Sequence, residues 1–283
     1  MKIPSFQTID EQFVRSELDK ILAQNFASLN NGEALRLALS CIDLTTLEGS
    51  NNEFEIEKIC RSARQFKNNG FDIPNVAAVC FYPPFTAQAK GLLKGTGINV
   101  AIVAGAFPSG QSPLSVRIAE VKYCVEQGAD EIDMVISRGR YLANDFDFVF
   151  NEISEIKKVC GKTHLKVILE TGEIPSLSAI KHVSEIAIAA GADFIKTSTG
   201  KIPKAATLEA FYVMLLAIKE NYERTGEMVG IKPAGGIREA KDALNYLLVL
   251  EKVLGHKWMN NSYFRIGASS LANNVLAEIM NNN

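Results

Sequence analysis

Apolar, strand-like runs alternate with amphipathic, helix-like segments along almost the whole sequence of 283 residues. Eight runs have the length and the β-branched, apolar composition of buried strands. They are residues 36–42, 75–82, 99–107, 131–137, 164–170, 194–199, 230–234 and 263–267. Helices are predicted between them at residues 53–67, 84–94, 113–126, 146–159, 176–190, 208–224 and 239–253. This pattern favours an α/β fold, a closed (β/α)₈ TIM barrel, with an open doubly wound sheet as the alternative.

The sequence predicts a single domain over residues 1–283, because no low-complexity linker divides it. Residues 31–283 are expected to form the barrel, since a barrel of this kind commonly takes about 250 residues. Residues 1–30 are predicted to form a helical extension, with a helix over about residues 8–27 that is expected to cover the bottom of the barrel. Gly70, Gly128 and Gly191 follow predicted helices and suit left-handed helix ends.

Charge and composition exclude several classes of protein. The formal net charge is only −2 and no basic stripe is present, so we predict neither a nucleic-acid partner nor a membrane partner. The first residues have no apolar signal-peptide core. The five cysteines include no Cys-x-x-Cys pair, and the three histidines lack the spacing of metal ligands. We therefore expect a cytoplasmic protein with reduced thiols and no structural zinc.

Two lysines lie in the middle of predicted strands, where a charged ammonium is costly. Lys196 lies in the sixth strand and Lys232 in the seventh. Burial and a neighbouring cation both lower the pKa of a lysine, which leaves a neutral amine able to attack a carbonyl. The pair therefore indicates Schiff-base chemistry. The alternative is that both lysines form structural ion pairs with Asp133 and Glu170.

Other charged residues lie in the strands or just after them, and reacting groups in a barrel lie at the C-terminal strand ends. Asp133 suits a general acid/base, or is simply a solvated carboxylate at a strand end. Glu131 lies on the same strand face, so the periodicity does not distinguish the two. Asp43 follows the first predicted strand as a pocket residue or a turn residue. Lys166 and Glu170 are weaker candidates, because either could be exposed.

Three loops of small residues follow the sixth, seventh and eighth predicted strands, at residues 198–201, 234–236 and 267–270. Barrels often bind phosphate with backbone amides after strands seven and eight. Glycines let the backbone approach the anion, and Lys201 adds a positive charge. Each loop alone is an ordinary turn or helix cap, but together they predict a phosphate site. Cys80 could edge the pocket, although a buried cysteine is usually a small hydrophobic residue.

Five segments of the chain resemble, in order, motifs of the deoxyribose-phosphate aldolases, a family of class I aldolases. They are residues 43–45, 131–133, 194–200, 232–238 and 265–270. The resemblance implies reversible cleavage of 2-deoxy-D-ribose 5-phosphate to D-glyceraldehyde 3-phosphate and acetaldehyde, in deoxyribonucleotide catabolism, without a metal or organic cofactor. It assigns the Schiff base to Lys196, proton transfer to Asp133, and the lowering of the pKa of the nucleophile to Lys232.

The loops and the resemblance together predict the substrate-binding residues. These are Asp43, Thr45, Cys80, Lys166, Thr199, Gly200, Lys201, Gly235, Gly236, Ser269 and Ser270. The expected partners are a small phosphosugar and an aldehyde, and a homodimer is a candidate assembly.

The chain departs from the family in one respect, and two other functions stay open. It ends Ile-Met-Asn-Asn-Asn at residues 279–283, whereas some members end in a tail with a tyrosine that assists proton transfer. The first alternative function is a Schiff-base barrel aldolase that acts on another phosphosugar. The second is a phosphosugar-binding module without catalysis.

Overall fold

A computed structural model describes residues 3–66, 73–203 and 205–281 and shows a barrel of eight parallel strands. The strands are β1 (Ile42–Thr45), β2 (Ala78–Phe81), β3 (Asn99–Ala104), β4 (Glu131–Val135), β5 (His164–Ile168), β6 (Phe194–Lys196), β7 (Gly230–Lys232) and β8 (Ile266–Ala268). Their order is β7-β6-β5-β4-β3-β2-β1-β8. Parallel bridges from Ile231 to Phe264 and from Ala234 to Gly267 join the two edges of this sheet. The predicted TIM barrel is confirmed.

Eleven α-helices accompany these strands in the described residues. They are α1 (Glu11–Leu22), α2 (Asn31–Ser40), α3 (Glu53–Gln65), α4 (Thr86–Leu92), α5 (Leu114–Glu126), α6 (Arg138–Leu142), α7 (Phe146–Cys160), α8 (Leu177–Ala189), α9 (Leu208–Thr225), α10 (Ala240–Leu254) and α11 (Leu271–Asn281). Short 3₁₀ turns lie at Pro83–Phe85 and His256–Trp258. None of these helices is long and apolar enough to cross a membrane.

The predicted helix ends agree with the structure where they can be compared. Gly128 and Gly191 have positive φ angles of 93° and 99°, as left-handed helix ends require. The predicted end of the third helix at Lys67 and its cap at Gly70 lie outside the described residues.

The first strand was predicted at the wrong position. Residues 31–40 form the helix α2, and β1 begins only at Ile42. A capping box starts α2, because Asn30 accepts from the Glu33 amide at 3.0 Å and Glu33 accepts from the Asn30 amide at 2.9 Å. Four buried apolar side chains then follow at helical spacing. Asp43 therefore lies within the first strand and not in the loop after it.

The N-terminal helix is shorter than predicted and lies elsewhere. It covers Glu11–Leu22 and packs against α9 and α10 on the outside of the barrel, so it does not cover the bottom. Just before it, the Ile9 amide donates to Ser178 at the start of α8. Just after it, the Ala27 amide donates to Glu251 at the end of α10. The segment therefore runs along the length of the helical layer.

Strand register places the charged residues inside the barrel. Successive strand residues point to opposite faces, so Glu131 and Asp133 share the inner face of β4. Asp133 pairs in register with Lys166 on β5, and Lys196 on β6 pairs with Lys232 on β7. The intervening apolar residues of these strands pack outward under the helices. This alternation collects the charges of distant segments in the barrel interior.

Candidate active site

Seven charged side chains form one buried network under the C-terminal end of the barrel. Its carboxylates are Asp43, Glu131 and Asp133, and its cations are Lys166, Lys196, Lys232 and Arg265. Four cations therefore face three carboxylates. Full ionisation would leave one uncompensated positive charge in the barrel interior, where such a charge is unfavourable.

Asp133 lies at the centre of this network. Its Oδ2 lies 2.7 Å from the Nζ of Lys196 and 2.7 Å from the Nζ of Lys232. Its Oδ1 lies 3.1 Å from the Nζ of Lys166. Burial disfavours the charged carboxylate, but the three lysines outweigh it and hold the pKa of Asp133 well below its usual range. Asp133 is therefore ionised at neutral pH.

The two lysines predicted to cooperate are shifted in opposite directions. Burial lowers the pKa of Lys196, Asp133 opposes this, and the ammonium of Lys232 lowers it further. Burial also disfavours the charge of Lys232, but Asp133 and Asp43 raise its pKa. The Nζ of Lys232 lies only 2.5 Å from Oδ2 of Asp43. Lys196 is consequently the surplus cation of the network and the lysine that most readily gives up its proton.

A cavity of about 460 Å³ opens above the network at the ends of β1, β6, β7 and β8. The predicted site residues that line it are Thr45, Lys196, Thr199, Gly200, Lys201, Gly235, Gly236 and Ser269. Among the described residues, Lys196 is the one network member in this lining. The amine with the lowered pKa is therefore the amine that a small molecule in the cavity can reach.

The remaining predicted site residues lie near the cavity without lining it. Asp43, Lys166 and Cys80 are fully buried beneath it, together with Asp133 and Lys232. Burial raises the pKa of Cys80 to about 11, so its thiol is not a nucleophile at neutral pH.

For two more residues, the structure and the sequence analysis disagree about the cavity lining. Ser270 is exposed and directly precedes α11, outside the lining of the cavity. Arg238, which the sequence analysis did not select, does line the cavity. Its sequence signal is its place at the end of the family-like segment 232–238, two residues after Gly236.

Close backbone packing shapes the loops after β6 and β7. Gly200 and Gly235 have φ angles of 78° and 83°, which favour glycine. A Cβ on Gly235 would lie 2.6 Å from the Cβ of Ala205 and 3.2 Å from the Cα of Gly200, so a side chain there is excluded. The Nζ of Lys201, predicted to face a phosphate, lies 3.0 Å from Glu48 on the loop after β1. These loops present backbone and two cations, Lys201 and Arg238, to the cavity.

Comparison with known proteins shows the family to which this chain is similar. Residues 37–254 match the model of the DeoC/LacD family aldolases. The chain belongs to this family. Deoxyribose-phosphate aldolase from Homo sapiens is 42% identical over 252 residues, which cover 86% of this chain and 79% of that protein. The enzyme of the same name from Bos taurus is 43% identical over the same shares.

A solved structure of the same family name is similar in fold, at a lower sequence identity. The tetrameric deoxyribose phosphate aldolase from Aeropyrum pernix is 27% identical, with a TM-score of 0.70 over 94% of this chain and 97% of that chain. The family resemblance inferred from the five motifs is confirmed, and this DeoC/LacD family aldolase is a lyase. In its described residues, no three His, Cys, Asp or Glu side chains are arranged to hold a metal ion.

Sequence reasoning did not identify one member of this aldolase's network. Arg265 precedes β8, and its guanidinium joins Glu131 (Nη2 to Oε1, 2.6 Å) to Asp43 (Nη1 to Oδ1, 2.7 Å). Lys166 is the second ion-pair partner of Glu131. Burial disfavours the charge of Glu131, but Lys166 and Arg265 lower its pKa. Glu131 therefore belongs to the base of the network, and Asp133 is the carboxylate that touches Lys196.

Replacing Arg265 with methionine is expected to destabilise the aldolase by about 3–5 kcal/mol, because it leaves Glu131 and Asp43 short of a buried partner. Chemical unfolding in urea at pH 7 measures the effect. A carboxylate with a lowered pKa stabilises the fold above its ordinary pKa, and that contribution is lost as the pH falls. The difference from the unmodified protein should therefore persist down to the ordinary pKa of a glutamate and shrink as the pH falls further below it.

Arg61→Met is the matched control for this prediction, because Arg61 forms an exposed ion pair with Glu57 on one helix. Such pairs contribute about 1 kcal/mol or less. Equal losses of stability in the two arginine variants would contradict a structural role for the buried network.

Proposed function

We propose that this aldolase reversibly cleaves 2-deoxy-D-ribose 5-phosphate to D-glyceraldehyde 3-phosphate and acetaldehyde through a Schiff base on Lys196. The observation that carries the proposal is the position of Lys196, which is both the surplus cation of the network and its member in the cavity lining. The names of the human and bovine relatives support the choice of substrate. The reaction belongs to the catabolism of deoxyribonucleotides.

The reaction begins at the neutral amine of Lys196, which attacks the C1 aldehyde of the open-chain sugar. Loss of water gives an iminium that withdraws the electron pair of the breaking C2–C3 bond. Asp133, 2.7 Å from the Nζ of Lys196, acts with water to take the proton of the C3 hydroxyl. D-glyceraldehyde 3-phosphate leaves first. The remaining enamine is protonated at C2, and hydrolysis of that imine releases acetaldehyde and restores the amine.

The other predicted residues support this step from two directions. Lys232 keeps the pKa of Lys196 low from beneath, while Asp43 and Lys166 hold the network in place. We assign the phosphate to the other end of the cavity, at Gly200, Lys201, Gly235, Gly236 and Ser269, with the exposed Ser270 next to them at the start of α11. Thr45 and Thr199 line the same cavity, and we assign both to the binding of the sugar. The substrate is thus held by its phosphate while its aldehyde meets the amine.

A coupled assay for D-glyceraldehyde 3-phosphate tests the reaction, and borohydride tests the intermediate. We expect release from 2-deoxyribose 5-phosphate, and a reduced adduct on Lys196 after treatment with acetaldehyde and borohydride. A preference for ketose phosphates would indicate another Schiff-base aldolase. Trapping without turnover would indicate a binding module, and an adduct mapped to another lysine would contradict the assignment of Lys196.

The proposal includes a homodimer and a cytoplasmic location. The related protein from Aeropyrum pernix is described as a tetramer, which is the alternative assembly to test. Light scattering at micromolar concentration measures the mass of the assembly and distinguishes a dimer from a tetramer.

A further inference from the structure

Glu170 is a fully buried carboxylate that lies two residues beyond the end of β5. Its φ angle is +57°, in the left-handed region that few residues other than glycine adopt. A buried carboxylate and an unfavourable backbone angle both cost stability, so the surrounding contacts must hold the residue in place. Such combinations concentrate at functional sites.

The contacts of Glu170 connect it to the loop that follows β6, the strand that carries Lys196. Its Oε1 accepts from the Thr199 amide at 3.2 Å, and its Oε2 accepts from the Thr199 hydroxyl at 2.5 Å. Arg138 lies on the other side, with Nη1 3.5 Å from Oε2. Burial raises the pKa of Glu170, while the two bonds from Thr199 favour its ionised form. The carboxylate therefore holds the loop after β6 by two hydrogen bonds to one residue.

The orientation of the Thr199 hydroxyl follows from this contact. A hydroxyl has one proton, and that proton is directed at Glu170. The oxygen of Thr199 then accepts from the backbone amide of Lys201 at 3.1 Å. Through Thr199, Glu170 thus fixes the backbone conformation at Gly200 and the position of Lys201 in the cavity lining.

We propose that Glu170 is a positioning residue for the phosphate end of the active site, acting through Thr199 on the loop of residues 199–201. The inference rests on the proposed function, since it assumes that this loop binds phosphate. Glu170 does not itself line the cavity in the described part of the chain. Its loss should therefore weaken the binding of anions more than it slows the chemistry at Lys196.

The first variant is Glu170→Gln, which keeps the size of the side chain. Its amide has one acceptor oxygen and one NH₂ group, so the NH₂ group faces a Thr199 donor and one of the two hydrogen bonds is lost. The probe is inorganic phosphate, and its dissociation constant is measured by calorimetry. We expect that constant to rise about 10-fold, as loss of one charge-assisted hydrogen bond predicts. With 2-deoxyribose 5-phosphate, KM should rise by a similar factor and kcat should fall less. Labelling of Lys196 by acetaldehyde and borohydride should also fall less than kcat/KM.

Two variants of Thr199 examine the relay itself. Thr199→Val removes the hydroxyl and should reproduce the weaker phosphate binding of Glu170→Gln. Thr199→Ser keeps the hydroxyl and should restore binding close to that of the unmodified protein. Because both ends of one contact are removed, the double variant Glu170→Gln/Thr199→Val should lose little more than either single variant.

Glu173→Gln is the matched control. Glu173 binds the same Arg138 through Nε at 2.6 Å, but its side chain is 42% exposed. Its replacement should leave phosphate binding within about twofold of normal. The assignment of Glu170 would be overturned if Glu170→Gln left the dissociation constant of phosphate unchanged. It would also be overturned if acetaldehyde labelling of Lys196 fell by the same factor as KM rose. Absence of turnover in the unmodified enzyme would instead reject the proposed function, because phosphate binding is measured without turnover.

Discussion

Replacement of Lys196 by methionine is expected to abolish cleavage while leaving the protein folded. Methionine fills a similar volume but has no amine, so the Schiff base cannot form. Lys166 and Lys232 cannot replace it, since both are fully buried and carboxylates raise the pKa of each. Removal of a covalent nucleophile commonly costs roughly 10⁴-fold or more in rate. The coupled assay and the loss of the borohydride adduct measure this effect.

The same replacement should not destabilise the barrel. Without Lys196, three cations face three carboxylates, and Asp133 keeps Lys166 and Lys232 as partners. The lowered pKa of Lys196 means that the unfolded chain binds more protons than the folded one between the folded-state and unfolded-state pKa values. That difference costs stability, and the cost is greatest at low pH. The variant should therefore equal or exceed the normal unfolding free energy at pH 7. Residual cleavage within 100-fold of normal, or marked destabilisation, would contradict the role of Lys196.

The sequence was sufficient to predict the barrel and the two central lysines, because both depend on local patterns. Alternation of strands and helices is repeated along the whole chain. A lysine inside an apolar strand, such as Lys196 or Lys232, is conspicuous because it is costly to bury.

The wrong position predicted for the first strand, at residues 36–42, has a local cause as well. Those residues are apolar enough for either structure, and the capping box of Asn30 and Glu33 upstream of them favours the helix.

Contacts between distant segments could not be predicted. Arg265 meets Asp43 across 222 residues and Glu131 across 134, and only closure of the barrel brings them together. The left-handed backbone of Glu170 has no sequence signal, because glycine is the residue that usually marks it. The surplus of one cation is likewise a property of the assembled network.

Replacement of Lys232 by methionine tests whether that surplus is the cause of reactivity. Three cations, Lys196 among them, would then face three carboxylates. The lowering effect of the Lys232 ammonium is lost and Asp133 is freed to favour a charged Lys196, so the pKa of Lys196 should rise. Fewer molecules then carry a neutral amine at pH 7. We expect kcat/KM to fall roughly 100-fold at pH 7 and to recover as the pH is raised. The pH profile of borohydride trapping with acetaldehyde measures the amine directly.

A second variant distinguishes the number of charges from the position of Lys232. In Lys232→Met/Asp43→Asn, three cations face two carboxylates, so Lys196 is again the surplus cation. If the balance of charge governs its pKa, the trapping profile of the double variant should move back towards the normal pH. If the nearby ammonium of Lys232 is required, the profile should stay alkaline. A Lys232→Met profile identical to that of the unmodified enzyme would refute both explanations, because neither allows a buried cation beside Asp133 to be lost without raising the pKa of Lys196.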